Sequence, residues 1–177
     1  MTNTELIMDL QLTESGAYLK GDKIKETHSE DYYGKIKENK LVLAPVEAVH
    51  LLERNLIDVE NTFDEAYDYF AEHDSDFEQK YAAYSDLRER GLIIKTGFKF
   101  GAHFRVYSRG VNPYKDDKGR KEHTKFIVHA VRENEDMSFQ EMSRAVRLAN
   151  NIRAKMLWAV VDTEKDVTYY EVGHTTP

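Results

Sequence analysis

The chain has 177 residues, of which 41% are hydrophobic and 32% charged, and its formal net charge is −7. That size suits one domain or two small ones, with a composition typical of a soluble globular protein. Cysteine is absent, which excludes disulfides, thiolate metal sites and a cysteine nucleophile. No apolar run approaches the roughly 18 residues of a membrane span, and the N-terminus lacks a basic-then-apolar leader pattern, so a cytoplasmic protein is expected.

In chain order, residues 1–43 read as short strands and turns. Leu6, Ile7 and Met8 form one apolar run and Ala17, Tyr18 and Leu19 another, with Ser15-Gly16 and Gly21-Asp22 as turn signals. A third strand is predicted over 40–43. Pro45 suits the first turn of a helix, with Val46, Val49, Leu52 and Leu56 at helical spacing. Thr62 and Glu65 form a capping box opening a second helix. A third helix is expected from about Phe77 to Arg90, stopped by Gly91. His28, His50 and His73 are isolated in this acidic half, which offers no catalytic grouping.

Beyond Gly91 the pattern changes to period two, predicting strands over 92–95, 103–109, 125–131, 156–161 and 167–172. Gly97 and Gly101 bracket an expected tight turn. Ser138 and Glu141 form another capping box, and Met142, Ala145, Ala149 and Ile152 make the apolar stripe of a helix running to about Arg153. The run 156–161 is apolar throughout, as in a strand covered on both faces. The expected class is α+β: a small N-terminal α/β domain over 1–75, then a C-terminal mixed β-sheet domain over 76–177 with one long packed helix.

Charge is segregated along this chain. Between Lys95 and Lys125 nine Lys or Arg residues face only Asp116, Asp117 and Glu122. A cationic stretch on an acidic protein is expected to meet an anionic partner. His103, His123 and His129 lie here without the H-x-x-x-H or H-E-x-x-H spacing of zinc sites. Neither a nucleotide-binding glycine loop nor a G-x-S-x-G nucleophile elbow is present. What remains is Tyr107 at a strand end, His123 opening the next strand, and Lys155 closing the helix, with the basic loop 108–122 joining the first two. This set suits RNA cleavage without metal, in which the ribose 2′-hydroxyl attacks its own phosphate. A histidine, ordinarily titrating near 6.5, can protonate a leaving 5′-oxygen. A phenol, ordinarily near 10, needs cations such as Arg109 and Lys155 to serve as base. On spacing alone, the plainer account of the same residues is a packed strand tyrosine beside a solvated basic hairpin.

The ordered motifs weigh against that plainer reading. YSDLRERG (84–91), KTGFKFG (95–101), FRVY (104–107), EHT (122–124), RLAN (147–150), AVVD (159–162) and the pair Tyr169-Tyr170 follow one another in sequence. Together they closely resemble the archaeal tRNA-splicing endonucleases, densely over 84–172. The resemblance implies metal-free cutting of precursor tRNA at both ends of an intron in a bulge–helix–bulge RNA, leaving 2′,3′-cyclic phosphate and 5′-hydroxyl ends. It implies Tyr107 as general base, with Tyr114 ranked second, and His123 as general acid. The family lysine directly follows the arginine closing the helix, where this chain has Ala154. Either Lys155 serves one residue later, or the chain lacks that lysine and holds RNA without cutting it. A base clamp is implied at Arg147, with Tyr169 in the second arginine's place and Arg109 as a further RNA contact. The resemblance also implies a homotetramer, docked through an acidic loop here matched by Glu133, Glu135 and Asp136 and paired through the strand at 167–172. No cofactor or metal is expected.

Overall fold

The computed structural model describes residues 8–96, 101–114 and 124–177. The turn expected at 97–100 and the residue His123 lie outside them. The chain divides into two compact units, Met1–Phe77 and Glu78–Pro177. Among the described residues no helix is long and apolar enough to cross a membrane.

The first unit holds β1 (Asp9–Thr13), β2 (Gly16–Lys20), α1 (Ile24–Asp31), β3 (Lys35–Lys37), β4 (Lys40–Leu43), α2 (Pro45–Glu53) and α3 (Phe63–His73). Its four strands pair antiparallel in the order β1-β2-β4-β3. Leu19, Leu41, Leu43, Val49 and Leu51 are fully buried. Proline at the start of α2 fixes φ where no amide partner is needed. The buried Glu47 carboxylate accepts from the Gly34 and Ala44 amides, at 3.0 and 2.9 Å. Three elements were not expected from sequence, the first being β1, which follows the apolar run 6–8 instead of occupying it. Helix α1 buries only Ile24 and has no side-chain cap, so it leaves almost no apolar period to read. Strand β3 is three residues long and exposed, held by pairing Ile36 with Leu41.

The second unit is built on α4 (Phe77–Glu89), β5 (Ile93–Thr96), β6 (Phe104–Tyr107), β7 (Phe126–Arg132), α5 (Phe139–Asn151), β8 (Lys155–Val161) and β9 (Val167–Val172). Its strands run in sequence order across a mixed sheet, with β7 and β8 parallel and the other neighbours antiparallel. The parallel pair needs a crossover, which α5 supplies. Gly91 ends α4 with φ +77°, a conformation that costs glycine little. One face of the sheet packs on α5, where Ile127, Met156 and Trp158 meet Val146 and Ala149. The other face carries Phe104, whose ring lies 5.8 Å from that of Tyr84 on α4. Beyond its exposed first residue Lys155, β8 is buried on both faces apart from the half-buried Val160, as the apolar run 156–161 predicts.

Both capping boxes form. The Thr62 hydroxyl accepts the Glu65 amide at 3.3 Å, while Glu65 accepts the Thr62 amide at 2.9 Å. At α5 the Ser138 hydroxyl accepts from the Glu141 amide, and Glu141 accepts from both the Ser138 amide and hydroxyl. These Ser138 hydrogen bonds hold the Glu141 carboxyl below its ordinary value of 4.5. A depressed carboxyl stabilises the fold above its unfolded value and loses that contribution as pH falls through the lower folded one. Thermal melts of Glu141→Gln below about pH 4.5 are therefore expected to show a shallower acid dependence than the parent. Thr62→Ala is expected to cost about 1 kcal/mol in urea unfolding, the usual worth of such a cap.

Candidate active site

Strand alternation decides which side chains can meet. Val106 pairs with Phe126, and Phe126 with Lys155, so these three share a face. Arg105, Ile127 and Met156 share the other, the α5 side. Tyr107, paired with Ile93 and two residues beyond Arg105, belongs to the α5 side. It is 5% exposed and ends β6 where the basic stretch begins. Lys95, paired with Arg105, lies on the same side, buried, with its ammonium 5.0 Å from the centre of the Tyr114 ring.

Lys155 does not close the helix. Helix α5 stops at Asn151, Arg153 takes a left-handed conformation (φ +58°), and Lys155 is the first residue of β8. The Ala154 amide reaches back to the Ala149 carbonyl at 2.9 Å and the Arg153 amide to Asn150 at 3.0 Å. That is a Schellman ending, in which the residue after the left-handed one makes an apolar contact with the last turn. Ala154, 6% exposed in the core cluster with Ala149, makes that contact. The step from 154 to 155 is then a change of sheet face. Continuing the strand register, Ala154 lies on the Tyr107 side, two strand spacings or roughly 10 Å across the sheet. Lys155 lies on the opposite side, where its ammonium bonds the Glu171 carboxylate at 3.0 Å.

Arg109 leans over the end of α4. Its Nη2 donates to the Arg90 carbonyl at 3.2 Å, and its guanidinium stands directly above Gly91. A cation there complements the negative end of the helix. Arg147 is exposed on α5, its Nε donating to the Ser143 carbonyl at 3.3 Å. Tyr169 is paired with Ala159, on the α4 face. One subunit therefore presents Arg147 and Tyr169 on opposite sides of its sheet. The Tyr169 hydroxyl donates to Asp86 Oδ2 at 2.7 Å, Arg90 binds the same carboxylate at 2.8 Å, and the Arg90 guanidinium lies 5.5 Å from the centre of the Tyr169 ring. Burial, and then the bond to Asp86, push the Tyr169 phenol well above its ordinary value. The Asp86 hydrogen bond and charge raise Arg90 as well.

The loop 133–136 is exposed. Glu133 accepts the Thr163 amide at 3.3 Å, which ties the loop to the turn before β9, while Glu135 accepts the Arg132 amide within its own turn. Asp136 stands at the rim of a cavity of about 490 Å³ whose walls include Met137, Met156 and Trp158. His103 and His129 stack at 4.3 Å, and the His103 Nδ1 accepts the Ala130 amide, leaving the ring proton on Nε2 when the imidazole is neutral. Among the described residues no group of three or more His, Asp or Glu converges as metal ligands do.

Residues 77–169 match the model for the catalytic C-terminal domain of the tRNA intron endonucleases, and residues 8–69 match that for the N-terminal domain. The chain belongs to the tRNA intron endonuclease family. It is 38% identical over 168 residues to a tRNA-splicing endonuclease of Pyrococcus abyssi, covering 88% of this chain and 93% of that protein. A tRNA-splicing endonuclease of Thermococcus kodakarensis is also 38% identical, over 88% of this chain and 95% of its own length. One from Methanothermobacter thermautotrophicus is 36% identical, over 94% and 97%. The second unit therefore carries the family's catalytic module.

Sequence reading of this endonuclease module missed the Asp86–Arg90–Tyr169 group. Its helical half was legible as an Asp and an Arg four residues apart, but the tyrosine is 83 residues distant. Tyr169→Phe removes a hydrogen bond to a charged acceptor and is expected to destabilise the protein by about 1–2 kcal/mol in denaturant unfolding.

Proposed function

We propose that this chain cuts precursor tRNA at both intron boundaries, in a bulge–helix–bulge RNA, by metal-independent attack of the ribose 2′-hydroxyl. The observation that carries the reading is the catalytic-domain match over 77–169, which takes in Tyr107 and His123 and the basic stretch between them. Tyr107 serves as the general base that removes the 2′-hydroxyl proton. The freed oxygen attacks phosphorus, and negative charge builds on the non-bridging oxygens of the phosphorane. His123 protonates the departing 5′-oxygen, leaving a 2′,3′-cyclic phosphate and a 5′-hydroxyl. A cation at the non-bridging oxygens completes the set, because charge that develops only in the transition state is where a fixed cation accelerates the reaction.

A second reading is a subunit that holds the RNA without cutting it. Ala154 on the Tyr107 side and Lys155 turned away towards Glu171 are the observations that favour it. For the assembly we propose a homotetramer. The edge strand β9, whose outer backbone groups have no neighbour within the sheet, pairs across a dimer axis, and the acidic 133–136 loop docks on the other dimer.

Incubating the purified chain with bulge–helix–bulge RNA in EDTA is expected to give cyclic-phosphate ends. Tyr107→Phe and His123→Ala should each slow cleavage by roughly 100-fold or more while RNA still binds. Tight binding by the parent chain with no cleavage would instead establish the holding role. Light scattering on the eluted protein is expected to give four times the chain mass, and a monomer would remove the docking assignment.

A further inference from the structure

We propose that Lys125, not Lys155, supplies the ammonium that meets the scissile phosphate. The proposal rests on the cleavage reading above and assigns the one role left open there.

The sheet places Lys125 between the two positions that matter. Its amide donates to the Val106 carbonyl at 2.8 Å, and its carbonyl accepts the Lys155 amide at 3.1 Å. It therefore sits at the mouth of β7, with Tyr107 at the end of β6 on one flank and Ala154 at the entry to β8 on the other. One strand spacing, about 4.8 Å, separates it from each neighbouring strand, a gap well within the span of a four-carbon stem. In sequence it follows His123 by two residues.

Three other cations fit less well. Lys155 faces the opposite side of the sheet and is held by Glu171. Lys95 is buried under the Tyr114 ring. Arg109 is engaged at the end of α4. Lys125 is exposed and forms no ion pair among the described residues; its ammonium rests 5.1 Å from the centre of the Phe126 ring. Such a contact at an exposed site is weak, so a doubly charged phosphorane outcompetes it when substrate arrives. A lysine rooted on the strand between β6 and β8 can thus bring its charge to the place where a lysine at 154 would deliver one. Ala154 is then free to serve as the apolar residue of the Schellman ending.

The test is single-turnover cleavage of a bulge–helix–bulge RNA, with RNA affinity and melting temperature measured for every variant. Lys125→Ala is expected to cut about 100-fold more slowly with little change in RNA affinity or melting, because a transition-state contact is lost and a ground-state one is not. Lys155→Ala should stay within about threefold of the parent. Adding Ala154→Lys to Lys125→Ala is expected to restore at least about tenfold, and Lys125→Arg should retain more activity than Lys125→Ala. If Tyr107→Phe is slow while Lys125→Ala cuts normally, or Lys125→Ala loses affinity in step with rate, the assignment to Lys125 is wrong and the cleavage reading stands. If Tyr107→Phe cuts at the parental rate, the assignment of the base has failed, and if the parent chain binds the RNA without cutting it, the cleavage reading itself has failed.

Discussion

The parallel pairing of β7 with β8, continued by the antiparallel pairing of β6 with β7, determines what this molecule can do. Strand registers permit no half measures: a residue faces one side of the sheet or the other, and a step of one reverses it. With Phe126 opposite Lys155 and Val106 opposite Phe126, the Tyr107 phenol and the Lys155 ammonium are separated by the sheet itself. The same register gathers Lys95, Arg105 and Tyr107 on the α5 side and gives the mouth of β7 its place between the strand ends.

The end of α5 is fixed by a second constraint that meets the first. A helix closing through a left-handed residue wants a small apolar group immediately afterwards, and Ala154 fits between Ala149 and Met156. A lysine at that position would have to run its stem along the same apolar surface before its charge emerged. In this chain the closure of α5 holds that residue.

Much of the fold was legible because its signals were local. The two capping boxes, Pro45, Gly91 and the apolar run of β8 each announce themselves within a few residues, and 40–43 and 167–172 form strands at the bounds the sequence suggests. Helix α1 was not legible, since its single buried residue leaves no periodicity. The family was readable from motif order, and the end of β6 at Tyr107 followed from the F-R-V-Y run. The placement of Lys155 was not readable in the same way: a helix ending one turn later and a strand beginning there look alike in sequence, and only the left-handed Arg153 separates them. The Tyr169–Asp86 bond depends on where β9 lies relative to α4, which no local pattern encodes.

Gly91 and Arg109 occupy what is in effect one shared volume. A β-carbon at 91 would come within 2.6 Å of the Arg109 Nε and Nη2. The far end of a flexible side chain is what would yield, and in yielding it would give up the Arg90 carbonyl and swing outward beside the basic stretch. A side chain at 91 would therefore set the Arg109 guanidinium loose from the end of α4 without altering a single charge in the sequence.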